Sequence, residues 1–227
     1  MSDSERKCAS RSIESPELEN WSACMRELSL HILDILQNSI EAGATLVELT
    51  IEEDLVTDRL NITVDDDGRG MSEAQATRIF DPFYTTRKTR HVGLGLPLFK
   101  AAAERCNGDL IVTSQLGKGT TIRAAFQHSH IDRAPLGDVI STLLSFILAN
   151  KCDLHYIHRV KKRRQEDMGT QTHGDTETVE FEFHTAAIKA EMGDVPLTHP
   201  QVRRWLQEFI AEGEAKVTVT SASLGQP

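Results

Sequence analysis

Apolar residues recur at helical spacing through Leu28, Ile32, Ile35 and Leu36, and Gly43 ends the run, so this stretch predicts a helix. At the same period Glu27, His31, Asp34 and Asn38 form a second stripe, polar and set between apolar flanks. The period then shortens to two. Val47, Leu49 and Ile51 alternate with Glu48, Thr50 and Glu52, which reads as a strand with one wet face. A partner strand covers Leu60 to Asp66, joined to the first through residues 53 to 58. In it Leu60, Ile62, Val64 and Asp66 share one face, so the inward side finishes in a carboxylate.

Further along, Ser72 is placed to cap a short helix running to Phe80, with Glu73 in its first turn. Phe80 and Phe83 flank Pro82 and anchor the loop that follows. A helix predicted from Pro97 stops at Asn107-Gly108, and strands follow over 109 to 114 and 120 to 126. These elements predict a mixed sheet with helices on one face, a two-layer α/β sandwich. After His128 the pattern gives a linker, a helix behind Asp138, two strands (153 to 160 and 178 to 183) around a charged loop, and a helix over 201 to 211. The tail from Val217 is expected to be loose. The expected organisation is an N-terminal arm (1–19), an α/β domain (20–128) and a smaller α+β extension (129–227).

Composition narrows the classes. The 227 residues carry a net charge of −9 and the pI is about 5.5, a poor match to nucleic acid or anionic membrane surfaces. No apolar run approaches the ~20 residues of a membrane span, and the N-terminus lacks a secretory core. The expectation is a soluble cytoplasmic chain that binds neither nucleic acid nor membrane. Cys8, Cys24, Cys106 and Cys152 are scattered, which suits reduced thiols rather than zinc or disulfides. The histidines offer no metal pair: in His155-Tyr156-Ile157-His158 the two rings fall on opposite faces of a strand.

Three pieces carry chemistry. The inward Asp66 needs a hydrogen-bond donor, and an adenine amino group is a suitable one. Gly68 and Gly70, just before Met71, let backbone turn tightly against a flat ligand. Gly93 and Gly95, in Gly93-Leu94-Gly95-Leu96, precede a helix whose N-terminus offers N–H groups to phosphate, and Arg87, Lys88 and Arg90 lie just upstream. There is neither a Rossmann fingerprint nor a P-loop.

Taken together, Asn38 in NSIEAGA, the DxGxG of Asp66, Gly68 and Gly70, the segment FDPFYTTR and the GLGL of 93 to 96 resemble the N box, first glycine box, F box and second glycine box of the GHKL ATPase and kinase superfamily. Gly117 to Thr121 is similar to the GxGT that closes the sheet of sensor histidine kinases, the closest branch. The resemblance spans roughly residues 25 to 128 and implies the Bergerat sandwich and Mg-ATP. It makes Asn38 the magnesium ligand, Asp66 the adenine contact and Phe80 to Arg90 the lid. Thr120 joins the pocket, with the four glycines shaping it. Hydrolytic members carry glutamate four residues before the Asn. Asp34 stands there, which argues against efficient autonomous hydrolysis.

The short stretch of this sequence ahead of the domain is expected to be too brief for an apolar-heptad hairpin with a phosphoacceptor histidine, and His31 reads as structural. Two function classes follow: a kinase transferring the γ-phosphoryl to a partner protein in trans, or an ATP-driven switch with slow hydrolysis, acting on a client. A nucleotide sensor is a third, and a homodimer stays open. A fainter likeness is to small stand-alone bacterial ATP-binding proteins with a C-terminal extension.

Overall fold

The computed structural model describes residues 27–81, 95–149, 151–164 and 176–222. The elements follow the hydrophobic pattern. Helix α1 (Leu28–Glu41) leads into the hairpin β1 (Leu46–Asp54) and β2 (Arg59–Asp66). Next come a single turn α2 (Glu73–Ala76), helix α3 (Gly95–Arg105), and the hairpin β3 (Asp109–Gln115) and β4 (Gly119–Gln127). Then follow α4 (Val139–Ala149), the strands β5 (Asp153–Arg163) and β6 (Thr176–His184), α5 (Thr185–Met192) and the long α6 (Pro200–Ala222).

All six strands form one sheet in the order β3-β4-β2-β1-β5-β6. Four neighbouring pairs are antiparallel, and β1 with β5 is parallel, so the sheet is mixed. The sheet therefore continues unbroken from the strands before His128 to those after it. Leu46 pairs with Asp153 and Asp54 with Lys161 across that junction.

One face of the sheet is covered by α3, α1, α4 and α6, and the core lies between the layers. The alternation predicted for β1 and β2 holds: Val47, Leu49, Ile51, Leu60, Ile62 and Val64 are all buried. Burying such side chains is worth about 1.5–3 kcal/mol each. The opposite face is polar, with His155 on β5 bonded to Glu48 of β1 and Glu182 of β6, both at 2.8 Å. His158, three residues on, points inward and is 1% exposed, as the strand period required.

Four elements differ from the sequence pattern. The helix expected behind Ser72 is a single turn that ends at Ala76 rather than at Phe80. β1 runs through Asp54, which turns Glu53 into the core, where two histidines hold it. α5 was not foreseen, its eight residues TAAIKAEM having no clear apolar period. α6 continues to Ala222 because Val217 is fully buried, so the expected loose tail begins as helix.

Candidate nucleotide site

The site is assembled where the C-terminal end of β2 meets α1. Burial of Leu60, Ile62 and Val64 carries Asp66 inward with them, and it is 8% exposed. Its carboxylate is held on both sides: the Gly68 amide donates to Oδ1 at 2.9 Å and the Ser39 hydroxyl to Oδ2 at 3.0 Å. Burial raises the Asp66 pKa, while the bonds from Gly68 and Ser39 favour the ionised form. Ser39 follows Asn38 on α1, and the sequence reading passed over it.

The turn after Asp66 is clamped from two sides. Arg69 donates its amide to the Ala42 carbonyl at the end of α1, and Gly117 donates to the Arg69 carbonyl at 2.7 Å. Gly70 has φ +63°, and a Cβ there would sit 2.0 Å from the Gln115 carbonyl oxygen, so only glycine fits. Met71 donates its amide to Ser114 Oγ at 2.8 Å, and Ser114 in turn lies 2.9 Å from Thr120 Oγ1. Thr120 is buried and pairs with Asp66 in the β2–β4 register. Met71, Gly68, Gly70, Thr120 and Asp66 are thus brought together.

α1 and α3 supply the other wall. Asp34 and Asn38, one turn apart, are both half-buried. Asp34 lies against the start of α3: a Cβ on Gly95 would be 1.8 Å from Asp34 Oδ2, so the glycine makes room for that carboxylate. Leu96 is buried beneath. The polar stripe of α1 is not uniform, because His31 is 4% exposed and stacks on Phe99 at 4.8 Å. Burial, helped by the nearby Arg105 charge, lowers its pKa to about 4, and its Nδ1 has no hydrogen-bond partner among the described residues. The structural reading of His31 agrees with this. Phe80 packs on the core with Lys100 Nζ 4.5 Å above its ring. Arg87, Lys88, Gly93 and Leu94 lie outside the described residues.

The donors around Asn38 and Asp34 are oxygens, the chemistry a magnesium ion takes. Among the described residues no group of three or more His, Cys, Asp or Glu is arranged to hold a metal. A magnesium ion needs no such cage, since it takes one or two protein oxygens and completes its shell with phosphates and water. The residues present fit it.

The histidine kinase-, DNA gyrase B-, and HSP90-like ATPase family matches residues 26–130. This segment is a GHKL ATPase domain. The GHKL domain is 34% identical to part of the heme sensor protein HssS of Staphylococcus saprophyticus over 116 residues, which cover 49% of this chain and 25% of that one. Sporulation kinase E of Bacillus subtilis is 38% identical over 97 residues, covering 41% and 13%. Sensor histidine kinase ZraS of Salmonella typhi is 37% identical over 89 residues, covering 39% and 19%. This chain spans a quarter or less of the length of these relatives. The layered mixed sheet is the GHKL sandwich, and ATP is the ligand the domain binds. Among the described residues no helix is long and apolar enough to cross a membrane.

Proposed function

We propose that this chain binds Mg-ATP and transfers the γ-phosphoryl to a side chain of a partner protein. The observation that carries this reading is Asp66, a buried carboxylate fixed by Ser39 and Gly68 and left with acceptor capacity for the adenine amino group. Asn38, with Asp34 beside it, would hold magnesium, which when bound would neutralise phosphate charge. The backbone around Gly95 at the head of α3 would face the phosphates, where the N–H groups of a helix start favour an anion. Asp34 is then too short for a standard water-activating role and serves better to orient Asn38 or the metal. Phosphoryl transfer asks mainly for such positioning and charge neutralisation. The relatives named as kinases support phosphotransfer as the reaction class.

A second reading has its own support. Asp67, next to Asp66, accepts from the amides of Thr45 and Leu46, and the Thr45 carbonyl accepts from Asp153 of β5. Asp153 in turn binds Thr185 and Lys189 of α5. This contact chain from the glycine turn into the C-terminal elements favours an ATP-driven switch acting on a client.

Incubation of the protein with γ-labelled ATP and magnesium, with and without host lysate, separates the two. Label on a lysate protein that disappears with Asn38→Ala is the kinase outcome. Free phosphate without labelled protein supports the switch, and neither product despite ATP binding would leave only nucleotide sensing.

A further inference from the structure

At the far end of the sheet from Asp66, five polar side chains are joined inside the core. β1 runs from Val47, which pairs with Asp66, to Glu53, about 20 Å away at the rise of a strand. Glu53, His158 of β5 and Glu214 of α6 are buried, and Tyr156 fully so. His128 Nε2 lies 2.6 Å from Glu53 Oε2, and His158 Nε2 lies 3.2 Å from Glu53 Oε1. His158 Nδ1 lies 3.0 Å from Glu214 Oε2, and the Tyr156 hydroxyl donates to Glu214 Oε1 at 2.8 Å.

Both ring nitrogens of His158 therefore face carboxylate oxygens. An ionised carboxylate only accepts, and a neutral imidazole has one N–H and one lone pair. Neutral His158 would leave one buried carboxylate facing a lone pair, an arrangement that costs several kcal/mol elsewhere when a buried pair loses a partner. Two N–H groups satisfy both, so the contacts call for the imidazolium.

The part of α6 that carries Glu214 has few buried side chains to hold it to the sheet. Gly213, one residue earlier in the continuous helix, lets α6 pass close to the sheet, since a Cβ there would stand 2.2 Å from the Phe181 ring. Before Gly213, α6 is anchored by Leu206, Ile210 and Phe209, the last packed on Phe181 and Phe183. After it, the buried anchors among the described side chains are Glu214 and Val217. A cavity of about 310 Å³ adjoins this segment, and Glu53, His158, Glu214, Thr218, Arg133 and Asp138 are among the residues that line it.

We propose that the Glu53–His158–Glu214 chain is a proton-operated latch: the imidazolium of His158 ties the Glu214 to Thr218 segment of α6 to the sheet, and loss of its proton to solvent releases that segment and opens the adjoining cavity. One N–H bond breaks and the proton leaves through water; nothing else changes covalently. The groups facing His158 are Glu53 from β1, Glu214 from α6 and Tyr156 from its own strand, with His128 reaching it through Glu53. Burial opposes the charged ring, but its bonds to Glu214 and Glu53 and their charges raise the His158 pKa from 6.5 to about 9. The latch is therefore fully closed below the ordinary histidine range and is lost as pH rises through about 9.

The test is NMR of the full-length protein, reading the His158 ring nitrogens together with side-chain methyl signals between pH 7 and 10. The expected result is an imidazolium at pH 7 that titrates near pH 9, with the Val217 methyls shifting at the same midpoint while those of Leu49 and Ile62 stay fixed. Glu214→Gln should lower both midpoints together by about one unit or more, since an opposite charge has been removed. A neutral His158 ring at pH 7 would overturn the proposal. So would Val217 methyls that stay unchanged to pH 10 or move only with Leu49 and Ile62. The wild-type titration alone decides the matter if Glu214→Gln does not fold, and none of these signals depends on ATP.

Discussion

Replacing Asp66 by Asn separates the proposed adenine contact from the fold. In the wild type each carboxylate oxygen already accepts one bond, from Gly68 N–H and from Ser39 OH. An asparagine keeps the first through its carbonyl. Its NH2 then points at Ser39, whose hydroxyl can accept and turn its own proton to the Ile35 carbonyl, 3.3 Å away. No buried group is orphaned, so unfolding stability should change by less than about 1 kcal/mol. Binding is different. The position offered to the adenine amino group now carries a donor, and a hydrogen bond to a charged group, about 1.5–3 kcal/mol, is lost. That corresponds to about 10- to 150-fold in Kd at about 1.4 kcal/mol per decade. Calorimetric titration with ATP, beside urea unfolding of both proteins, reads the two effects separately. An affinity within threefold of wild type, or a loss that simply follows a fall in urea midpoint, would refute Asp66 as the adenine contact.

Asn38→Ala should leave metal-free nucleotide binding close to wild type and abolish the magnesium-dependent gain in affinity, checked by titrations with and without magnesium. Gly95→Ala should displace the Asp34 carboxylate that occupies the space of the added methyl, lowering turnover at least about tenfold, as misplacement of a positioning group does; single-turnover rates test it. Gly70→Ala combines φ +63° with a 2.0 Å approach to the Gln115 carbonyl, and should cost at least about 1–2 kcal/mol of urea stability from left-handed strain alone. His31 binds its proton more weakly folded, at about 4, than unfolded at 6.5. The unfolded state therefore gains protons first on acidification, and stability should fall by up to about 3 kcal/mol between pH 6.5 and 4. His31→Phe should remove that share of the slope in pH-dependent denaturation curves.

Much of this molecule follows from local pattern. Period-two alternation alone fixes which faces of β1 and β2 are buried, and hence that Asp66 ends inside; helical period places Asp34 and Asn38 one turn apart. The glycines at 68, 70 and 95 announce close approach, because backbone crowding leaves no room for a side chain. What approaches each glycine is a long-range matter: Gln115 at Gly70 and Asp34 at Gly95 are supplied by chain far away in sequence. Ser39 illustrates the same limit, since its partner is 27 residues away and a serine in a helix carries no mark of that contact.

The C-terminal half depended most on tertiary structure. No local signal tells that β5 lies parallel to β1, because parallel pairing is set by how the intervening helix packs rather than by a turn. Glu53 looked like the start of a hairpin connection, and only the meeting of β1, β5 and the residue after β4 supplies the two histidines that let a carboxylate lie in the core. Sequence thus determined the buried faces of the central strands and most of the candidate residues around Asp66, since both are written in residues a few positions apart. Tertiary structure decided the register, the partners of buried charges and the reach of α6, because those energies exist only once distant segments are in contact.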